Sequence, residues 1–387
     1  MIVERPALER RVAASLDAGR IPVLLGWCGS GRTSLLLRLE HLIGLDRCQY
    51  LDMAAAATTP ERCLSAVVTT SRLQPVRPIA AASGTRESFG AVLDFFDTAT
   101  TPDGAPTFLL DEFLDIRTFE NFPGLRHVQR DLIARLSTSP SRFVLASRFT
   151  ARVHRLLRDA PARFEVIHMP PLEPGDVQAM AQRFVGGRRA WAEDIAPAVA
   201  ALVCGTPAFA HILLGGLASM GPATDPVAAL AAAIAPDGPV TARCRECYEL
   251  RLHRARGYGA LKAILGVLAD TEPLNLTEIA HRLNRTPGST KDYLSWLEDV
   301  DLVTMRGKRY AFTDPLLRLY VRLYGQPVPP GDNEIVREVG AYARNRLLQA
   351  PPPAPVRASS PGPIANAAAV RTDAPEPAPR SGIIEID

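Results

Sequence analysis

A glycine-rich segment near the start of the chain has the residue types of a phosphate-binding loop. It reads Gly26-Trp27-Cys28-Gly29-Ser30-Gly31-Arg32-Thr33. Glycines are needed there because successive backbone N–H groups turn inward around a phosphate, and a Cβ at Gly26 or Gly31 would obstruct that turn. Thr33 supplies a hydroxyl for a magnesium ion. The segment therefore predicts a site for the phosphates of a magnesium-bound nucleotide.

One position of this loop departs from the usual pattern, because arginine stands where lysine is expected. Arg32 keeps the positive charge, but its guanidinium is a wide, planar fork that does not replace a compact ammonium. Hydrolysis depends on how charge is placed around the transferred phosphate. The loop therefore favours nucleotide binding with slow or partner-dependent hydrolysis over rapid intrinsic hydrolysis.

Two carboxylates form a second candidate site at the end of an apolar run. Phe108-Leu109-Leu110 is followed directly by Asp111 and Glu112. Asp111 is predicted to hold the water shell of the metal, and Glu112 to polarise the attacking water. An apolar run that ends in Asp-Glu is commonplace by itself. Its position after a phosphate loop, with one further strand between the two, favours the catalytic interpretation.

A third candidate lies at the end of the next predicted strand, which is followed by Arg148. Neighbouring parallel strands deliver their C-terminal ends to the same crevice, so Arg148 is predicted to reach the γ-phosphate and report its presence. The alternative is a solvated arginine that opens a helix. Further along, Gly205-Thr206-Pro207 interrupts two helical patterns. Ordinary loop chemistry explains this segment, but a nucleotide switch would place Pro207 against adenine there.

The elements that must position these residues follow from the hydrophobic pattern. Short apolar runs alternate with helical patterns from Ile21 to Met169, which indicates an α/β fold with a parallel sheet covered by helices. The predicted strands are 21–25, 49–52, 107–110, 142–146 and 164–168. Ser34 opens the helix after the loop, so a bound phosphate would lie at a helix N-terminus. Beyond Pro171 only helical patterns continue, to about Ala235.

The region from 241 onward predicts a different type of unit. Residues 241–256 read as a charged connector helix, in which Cys244 and Cys247 are interpreted as unpaired thiols. Helical spacing then recurs twice, and Ser289 is predicted to cap a third helix. A hairpin is expected over 303–312. Three helices followed by a hairpin predict a winged helix.

These motifs together resemble the archaeal-type ATPases and their STAND relatives within the AAA+ superfamily. The resemblance covers residues 26–33, 109–112, 145–148 and 205–207, in that order and ahead of a winged helix, and it spans roughly residues 1 to 325. It implies a P-loop NTPase fold of the RecA-like, ASCE type with a helical lid. It also implies ATP and Mg²⁺ in the crevice between sheet and lid, with ATP and ADP holding the domains in different arrangements.

The expected domain organisation has five parts. They are the P-loop ATPase core at 1–170, the helical lid at 171–240, the connector and winged helix at 241–325, a linker and helix at 326–349, and a Pro/Ala-rich tail at 350–387. The composition of the tail predicts disorder. Its last seven residues, 381–387, are an apolar peptide that could add a strand to a protein partner or serve no purpose.

Charge and composition limit the classes of partner. The formal charge is only +3, from 44 basic and 41 acidic residues, so no overall field attracts nucleic acid or an anionic membrane. The sequence shows neither a secretion leader nor a membrane-spanning run, and six cysteines are expected to stay reduced. A cytoplasmic protein with no membrane association is therefore expected. The oligomeric state stays open.

Three functions remain possible from the sequence. The leading one is an ATP-binding regulatory or signalling switch whose lid and winged helix rearrange with the γ-phosphate. The alternative is a DNA-binding AAA+ protein resembling replication initiators or transposition regulators, with Arg306, Lys308 and Arg309 on the wing touching phosphates. The acidic residues around that wing weaken the DNA hypothesis. The third is a non-hydrolysing scaffold that recruits partners through its tail.

Overall fold

A parallel sheet dominates the N-terminal part of the chain in the computed structural model, which describes residues 4–75, 82–184, 189–221, 223–252, 255 and 257–349. The strands of this part are β1 (Ile21–Leu25), β2 (Cys48–Asp52), β3 (Gln74–Pro75), β4 (Ala99–Thr100), β5 (Thr107–Asp111), β6 (Arg142–Ser147) and β7 (Phe164–His168). Five of them form one parallel sheet in the order β2-β5-β6-β1-β7, while β3 pairs with β4. The predicted tail at 350–387, including the peptide 381–387, lies outside the described residues.

The five predicted strands are confirmed, and none of their bounds differs by more than one residue. They were recognisable because strands covered on both faces read as continuous apolar runs. Every residue of β1 and of β5 is buried. Alternate side chains of β1 divide between two cores, since Leu24 packs on one face of the sheet while Val23 and Leu25 pack on the other.

Helices cover both faces of this sheet. They are α1 (Pro6–Asp17), α2 (Arg32–Ile43), α3 (Met53–Ala56), α4 (Pro60–Thr69), α5 (Thr85–Thr98), a 3-10 helix (Phe113–Asn121), α6 (Val128–Thr138) and α7 (Thr150–Leu157). Each of α2 and α7 begins directly after a strand end that carries a predicted site residue. Because the strands are parallel, these helix N-termini gather at one edge of the sheet.

A helical segment follows the sheet, as the loss of the strand pattern predicted. It comprises α8 (Pro174–Phe184), α9 (Arg189–Leu202), α10 (Pro207–Met220), α11 (Pro226–Ala233) and α12 (Pro239–Leu252). The segment joins the sheet where Arg5 donates from its guanidinium to the carbonyl of Pro170. The predicted connector helix corresponds to α12, and residues 253, 254 and 256 of that prediction lie outside the described residues.

The C-terminal elements occur in the order that the sequence predicted for a winged helix. They are α13 (Tyr258–Asp270), β8 (Leu274–Asn275), α14 (Leu276–Arg282), α15 (Pro287–Asp299), β9 (Val303–Arg306), β10 (Arg309–Phe312), α16 (Pro315–Tyr324) and α17 (Asp332–Gln349). The three strands pair in the order β8-β10-β9. Gly307 and Lys308 both have positive φ, as a two-residue hairpin turn requires. We call residues 258–324 the helix–hairpin unit.

One predicted helix cap is wrong. Ser289 lies inside α15, and Thr286 caps that helix instead by accepting a hydrogen bond from the Ser289 backbone N–H at 3.4 Å. The physical reason is Pro287, which occupies the first helical position because its fixed φ suits a helix start and its missing N–H costs nothing there. The sequence prediction placed the start of α15 three residues too late.

The last helix, α17, packs against the helical segment through α9 and α11. Its buried face carries Ile335, Val339 and Ala343. The hydroxyl of Tyr342 donates to the Leu202 carbonyl at 2.7 Å. The amphipathic helix expected between linker and tail is therefore a packed element. None of the described helices has the length and apolar character needed to cross a bilayer.

Candidate functional site

The glycine-rich loop joins β1 to α2, and two of its glycines have left-handed backbone conformations. The φ angles of Gly29 and Gly31 are +83° and +88°, which side chains with a Cβ rarely adopt. A Cβ on Gly26 would lie 2.5 Å from Ser30 Oγ, whereas one on Gly31 would find its nearest neighbour at 3.7 Å. Gly26 is therefore required for space, and Gly31 for its conformation.

The N-terminus of α2 has unused hydrogen-bonding capacity. Gly31 is its cap residue and offers no side-chain acceptor to the first backbone N–H groups, among them that of Ser34. Ser30 Oγ and Arg32 Nε are buried, and neither has a hydrogen-bond partner among the described residues. Free amides at a helix start, with the positive end of the helix dipole, fit a phosphate group. Trp27 of this loop is exposed to solvent, at 39% exposure.

The predicted magnesium ligands lie together. Thr33 Oγ1 donates to Asp111 Oδ2 at 2.6 Å, across the gap between the start of α2 and the end of β5. Asp111 is 3% exposed. The hydroxyl of Tyr50 on the neighbouring strand β2 donates to the same oxygen at 3.2 Å. Burial and the Asp111 charge raise the pKa of Tyr50, so this phenol stays protonated and keeps donating.

Arg32 contacts Glu112, the second of the two predicted carboxylates, directly. Its Nη2 lies 2.6 Å from Glu112 Oε1, and its Nη1 donates to the Ser147 carbonyl at 3.1 Å. Glu112 adopts a left-handed φ of 50°, which is uncommon for a residue with a side chain and typical of functional sites. The guanidinium of the atypical loop residue is therefore held between the ends of β5 and β6.

Arg148 reaches the same carboxylate from the other side. Its backbone N–H donates to Glu112 Oε2 at 3.1 Å, and its Nε lies 3.1 Å from that oxygen. Its Nη2 donates to Asp115. Burial, which lowers the pKa of Arg148, is outweighed by these two carboxylates, so the guanidinium stays charged. Glu112 is thus clamped between two guanidinium groups in this conformation.

The predicted adenine contact also lies beside the loop. Pro207 begins α10, and its Cγ would be 3.7 Å from a Cβ on Gly31. The Ala208 backbone N–H donates to the Gly29 carbonyl at 3.1 Å. The helical segment therefore contacts the glycine-rich loop directly.

Comparisons with known proteins identify the fold. No protein-family model and no curated protein matches this chain. Among solved structures, the Walker-type ATPase PABY2304 of Pyrococcus abyssi matches at 15% identity with a TM-score of 0.60, over 83% of this chain and 96% of that one. The chain has the AAA+ type of P-loop NTPase fold.

Two other solved structures match less well. The STAND protein PH0952 from Pyrococcus horikoshii, which carries a tetratricopeptide repeat sensor, is 15% identical with a TM-score of 0.35, over 89% of this chain and 45% of that one. Cdc6p from Pyrobaculum aerophilum is 14% identical with a TM-score of 0.39, over 90% and 97%. Likeness at this level supports no inference about this chain.

Sequence reasoning missed a buried contact between the AAA+ phosphate loop and α12. The thiol of Cys28 interacts with the thiol of Cys247, and this interaction lowers the pKa of Cys28 although burial opposes it. The charge of Arg251, one helical turn beyond Cys247, acts in the same direction. Arg251 is 3% exposed, and its Nε and Nη2 have no partner among the described residues. All six cysteines are free, as predicted.

The helix–hairpin unit also contacts the AAA+ sheet beside Arg148. Asp301 accepts from the backbone N–H groups of Thr150 at 2.5 Å and Ala151 at 3.3 Å, and so caps α7. Asp299 forms an ion pair with Arg155 on the same helix. Sequence separation hid these contacts, because they join elements about 150 residues apart. They connect the unit to the helix that follows the predicted phosphate sensor.

Proposed function

We propose that this chain is an ATP-binding regulatory or signalling switch with slow or partner-dependent hydrolysis of ATP to ADP and phosphate. ATP and Mg²⁺ would bind between the core at 1–170 and the lid at 171–240. The nucleotide state would govern how the winged helix within 241–325 docks on the core.

The residues around the loop fit the phosphates and the metal. The amides of Gly29, Gly31 and the first turn of α2 would bind phosphate oxygens, which would also engage the buried Nε of Arg32. Thr33 and Asp111 would hold Mg²⁺, whose oxygen ligands are of this type. A bound Mg²⁺ would neutralise charge on the phosphates during transfer.

The arrangement around Glu112 supports slow hydrolysis. A carboxylate that orients the attacking water must have an oxygen available for it. Glu112 uses Oε1 for Arg32 and Oε2 for Arg148. A change that draws either guanidinium towards the phosphates would release Glu112, and a partner protein could favour that change.

One observation carries the proposal of a switch. Arg148 lies two residues before Thr150, whose N–H donates to Asp301 of the helix–hairpin unit. A movement of Arg148 towards a γ-phosphate would therefore displace the N-terminus of α7 and the Asp301 contact with it. Contacts that differ between two nucleotide states are what a ligand needs in order to shift a conformational equilibrium.

The DNA-binding alternative has weaker support. Arg306, Lys308 and Arg309 are exposed on the hairpin, as that alternative needs. The helix that would enter a major groove is α15, however, and Asp299 at its end is paired with Arg155 of the core. Acidic residues near phosphates also oppose binding.

The test of the proposed function is a titration with a fluorescent ATP analogue, with and without Mg²⁺. We expect Asp111→Asn to weaken Mg²⁺-dependent binding about tenfold or more, because a metal ligand is lost. Asp103→Asn is the matched control, since Asp103 is an exposed carboxylate paired with Arg47. A wild-type protein that ignores millimolar ATP, or an Asp111→Asn variant that binds like wild type, would contradict the proposal. A non-hydrolysing scaffold that does not use nucleotide predicts that outcome.

The switch itself requires a second measurement. Hydrogen exchange of α7 (Thr150–Leu157) should differ between the ATP-analogue and ADP states if the Asp301 contact depends on the γ-phosphate. Equal exchange in the two states would leave nucleotide binding intact and contradict the coupling to the helix–hairpin unit.

A further inference from the structure

A second cavity lies at the C-terminal end of the described chain, between the β9–β10 hairpin, α16 and α17. Its volume is about 590 Å³, within the usual range of small-molecule sites. Five arginines and two glutamates are the charged residues of the described part of the chain that line it. The arginines are Arg306, Arg309, Arg318, Arg322 and Arg346. None of the lining residues belongs to the phosphate loop or to the parallel sheet.

The arginines are arranged as like-charged neighbours on two separate elements. Arg306 and Arg309 lie directly opposite each other in the β9–β10 register, where like charges destabilise a strand pair. Arg318 and Arg322 are one turn apart on α16, where like charges destabilise a helix. Both pairs face the same cavity. An anionic ligand would relieve this repulsion at both places.

The two glutamates do not neutralise the positive charge of the cavity lining. Glu272 accepts from the Phe312 backbone N–H at 2.6 Å as well as pairing with Arg318 at 3.3 Å. Glu338 divides its carboxylate between Arg322 and Arg337. Five guanidinium groups against two carboxylates leave the lining at a formal charge of +3, and the exposed pair that Arg309 forms with Glu278, outside the lining, reduces the surplus to +2.

Several guanidinium groups are oriented yet keep free donors. Arg309 Nη1 donates to the Pro273 carbonyl at 2.9 Å, and Arg322 Nη1 donates to the Asp270 carbonyl at 3.2 Å. The side chains of Arg306 and Arg346 form no ion pair or hydrogen bond within 4.0 Å with any residue that the structure describes; Arg346 stacks over the Tyr342 ring and its charge also acts on Glu272. A guanidinium group that is oriented by hydrogen bonds on one side and has free N–H groups on the other is suited to bidentate binding of phosphate oxygens.

We propose that this cavity binds a small molecule carrying two or more phosphate groups. One phosphate would lie between Arg306 and Arg309 of the hairpin. A second would lie near Arg318 on α16 and Arg346 on α17, since these arginines supply separate hydrogen-bond donors. The apolar residues Leu319 and Ala311 of the lining would contact an uncharged part of the ligand. A duplex fits less well, because α15, the helix that would read a groove, contributes no lining residue.

The test is hydrogen exchange read by mass spectrometry, with inorganic tripolyphosphate as the probe. Location matters, because tripolyphosphate also suits the phosphate loop, where it would protect residues 26–34. Binding in the cavity should instead protect the hairpin, α16 and α17. We expect the double variant Arg306→Glu/Arg346→Glu to weaken this second protection about tenfold or more and to leave that of the loop unchanged.

The matched control is Arg344→Glu, since Arg344 is an exposed arginine of α17 outside the cavity lining. The Arg344→Glu variant should keep the protection of the hairpin, α16 and α17. An unfolding midpoint equal to that of wild type should show that each variant is folded. Protection confined to residues 26–34, or equal protection in the double variant, would overturn the proposal. So would protection of the cavity by a 20-base-pair duplex but not by tripolyphosphate, which would indicate a nucleic-acid surface.

Discussion

Arg32 and Glu112 form an ion pair in which Nη2 and Oε1 are 2.6 Å apart. The residue that makes the loop atypical thus contacts the residue predicted to polarise the attacking water. Both side chains are largely buried, at 7% and 12% exposure, so solvent screens their attraction little. The position of Arg32 therefore bears on hydrolysis through Glu112 as well as through phosphate binding.

Replacing Arg32 with lysine should raise the rate of ATP hydrolysis. A lysine is a single point charge without the fork that spans Glu112 and the Ser147 carbonyl, so Glu112 would be freer to orient water. We expect an increase in kcat of about tenfold, which corresponds to about 1.4 kcal/mol in the barrier. Phosphate release under saturating ATP measures it.

The control for this change is the double variant Arg32→Lys/Glu112→Gln, in which the gain should disappear. A rate that does not change in Arg32→Lys would show that the pairing with Glu112 does not limit hydrolysis. A gain that survives in the double variant would show that the lysine acts on the phosphates alone.

The sequence predicted those parts of the site that follow from the parallel direction of the strands. Because parallel strands end at the same edge of the sheet, Thr33 and Asp111 were expected to lie close together, and Thr33 Oγ1 is 2.6 Å from Asp111 Oδ2. Tyr50 was missed because its contact depends on β2 lying beside β5, and lateral strand order is not written in the apolar pattern. Cys247 and Asp301 were missed because docking between distant elements leaves no local signal. Thr286 could have been found from Pro287.

Cys28 should react with iodoacetamide faster than any other cysteine of the described chain. Its pKa is lowered, chiefly by the interaction with Cys247, whereas burial raises the pKa of Cys48 and Cys63 to about 12. The thiolate is the reactive form. Labelling of Cys28, followed by mass spectrometry, should therefore reach its maximal rate at a lower pH than labelling of Cys48 or Cys63.

The variant Cys247→Ala tests the cause of this reactivity. Without the interaction with Cys247 the pKa of Cys28 should rise, because burial then opposes only the arginine charges, and labelling at pH 6 should become slower. Unchanged labelling would contradict the contact with Cys247. Bound nucleotide should protect Cys28 in both proteins if the loop holds the phosphates.

Gly205→Ala should destabilise the fold. Gly205 has a φ of +65°, and a Cβ there would lie 2.6 Å from the Leu172 carbonyl oxygen. Backbone strain and this clash together should cost about 2 kcal/mol or more. Urea unfolding measures it, with Gly266→Ala as the control, since Gly266 lies within α13 with nothing within 4 Å of the added Cβ. That variant should be stabilised by about 0.5–1 kcal/mol, and equal effects of the two changes would contradict the close approach.

Asp301→Asn should remove a pH dependence of stability. Burial raises the pKa of Asp301 to about 6 from an ordinary value of 3.8, although two backbone N–H groups oppose the rise. The folded state therefore binds this proton more tightly than the unfolded state. The stability that the proton contributes is complete below pH 3.8 and is lost as the pH rises through about 6.

An asparagine keeps the acceptor oxygen for the Thr150 N–H but cannot ionise. Asp301→Asn should therefore be more stable than wild type at pH 7.5, on the order of 1–3 kcal/mol, and the difference should shrink towards pH 4. Asp299→Asn is the control, because its ion pair with Arg155 is partly exposed and its loss should cost less than about 1 kcal/mol. If Asp301→Asn were instead less stable at pH 7.5, the attraction of the carboxylate to the N-terminus of α7 would outweigh the cost of burying its charge.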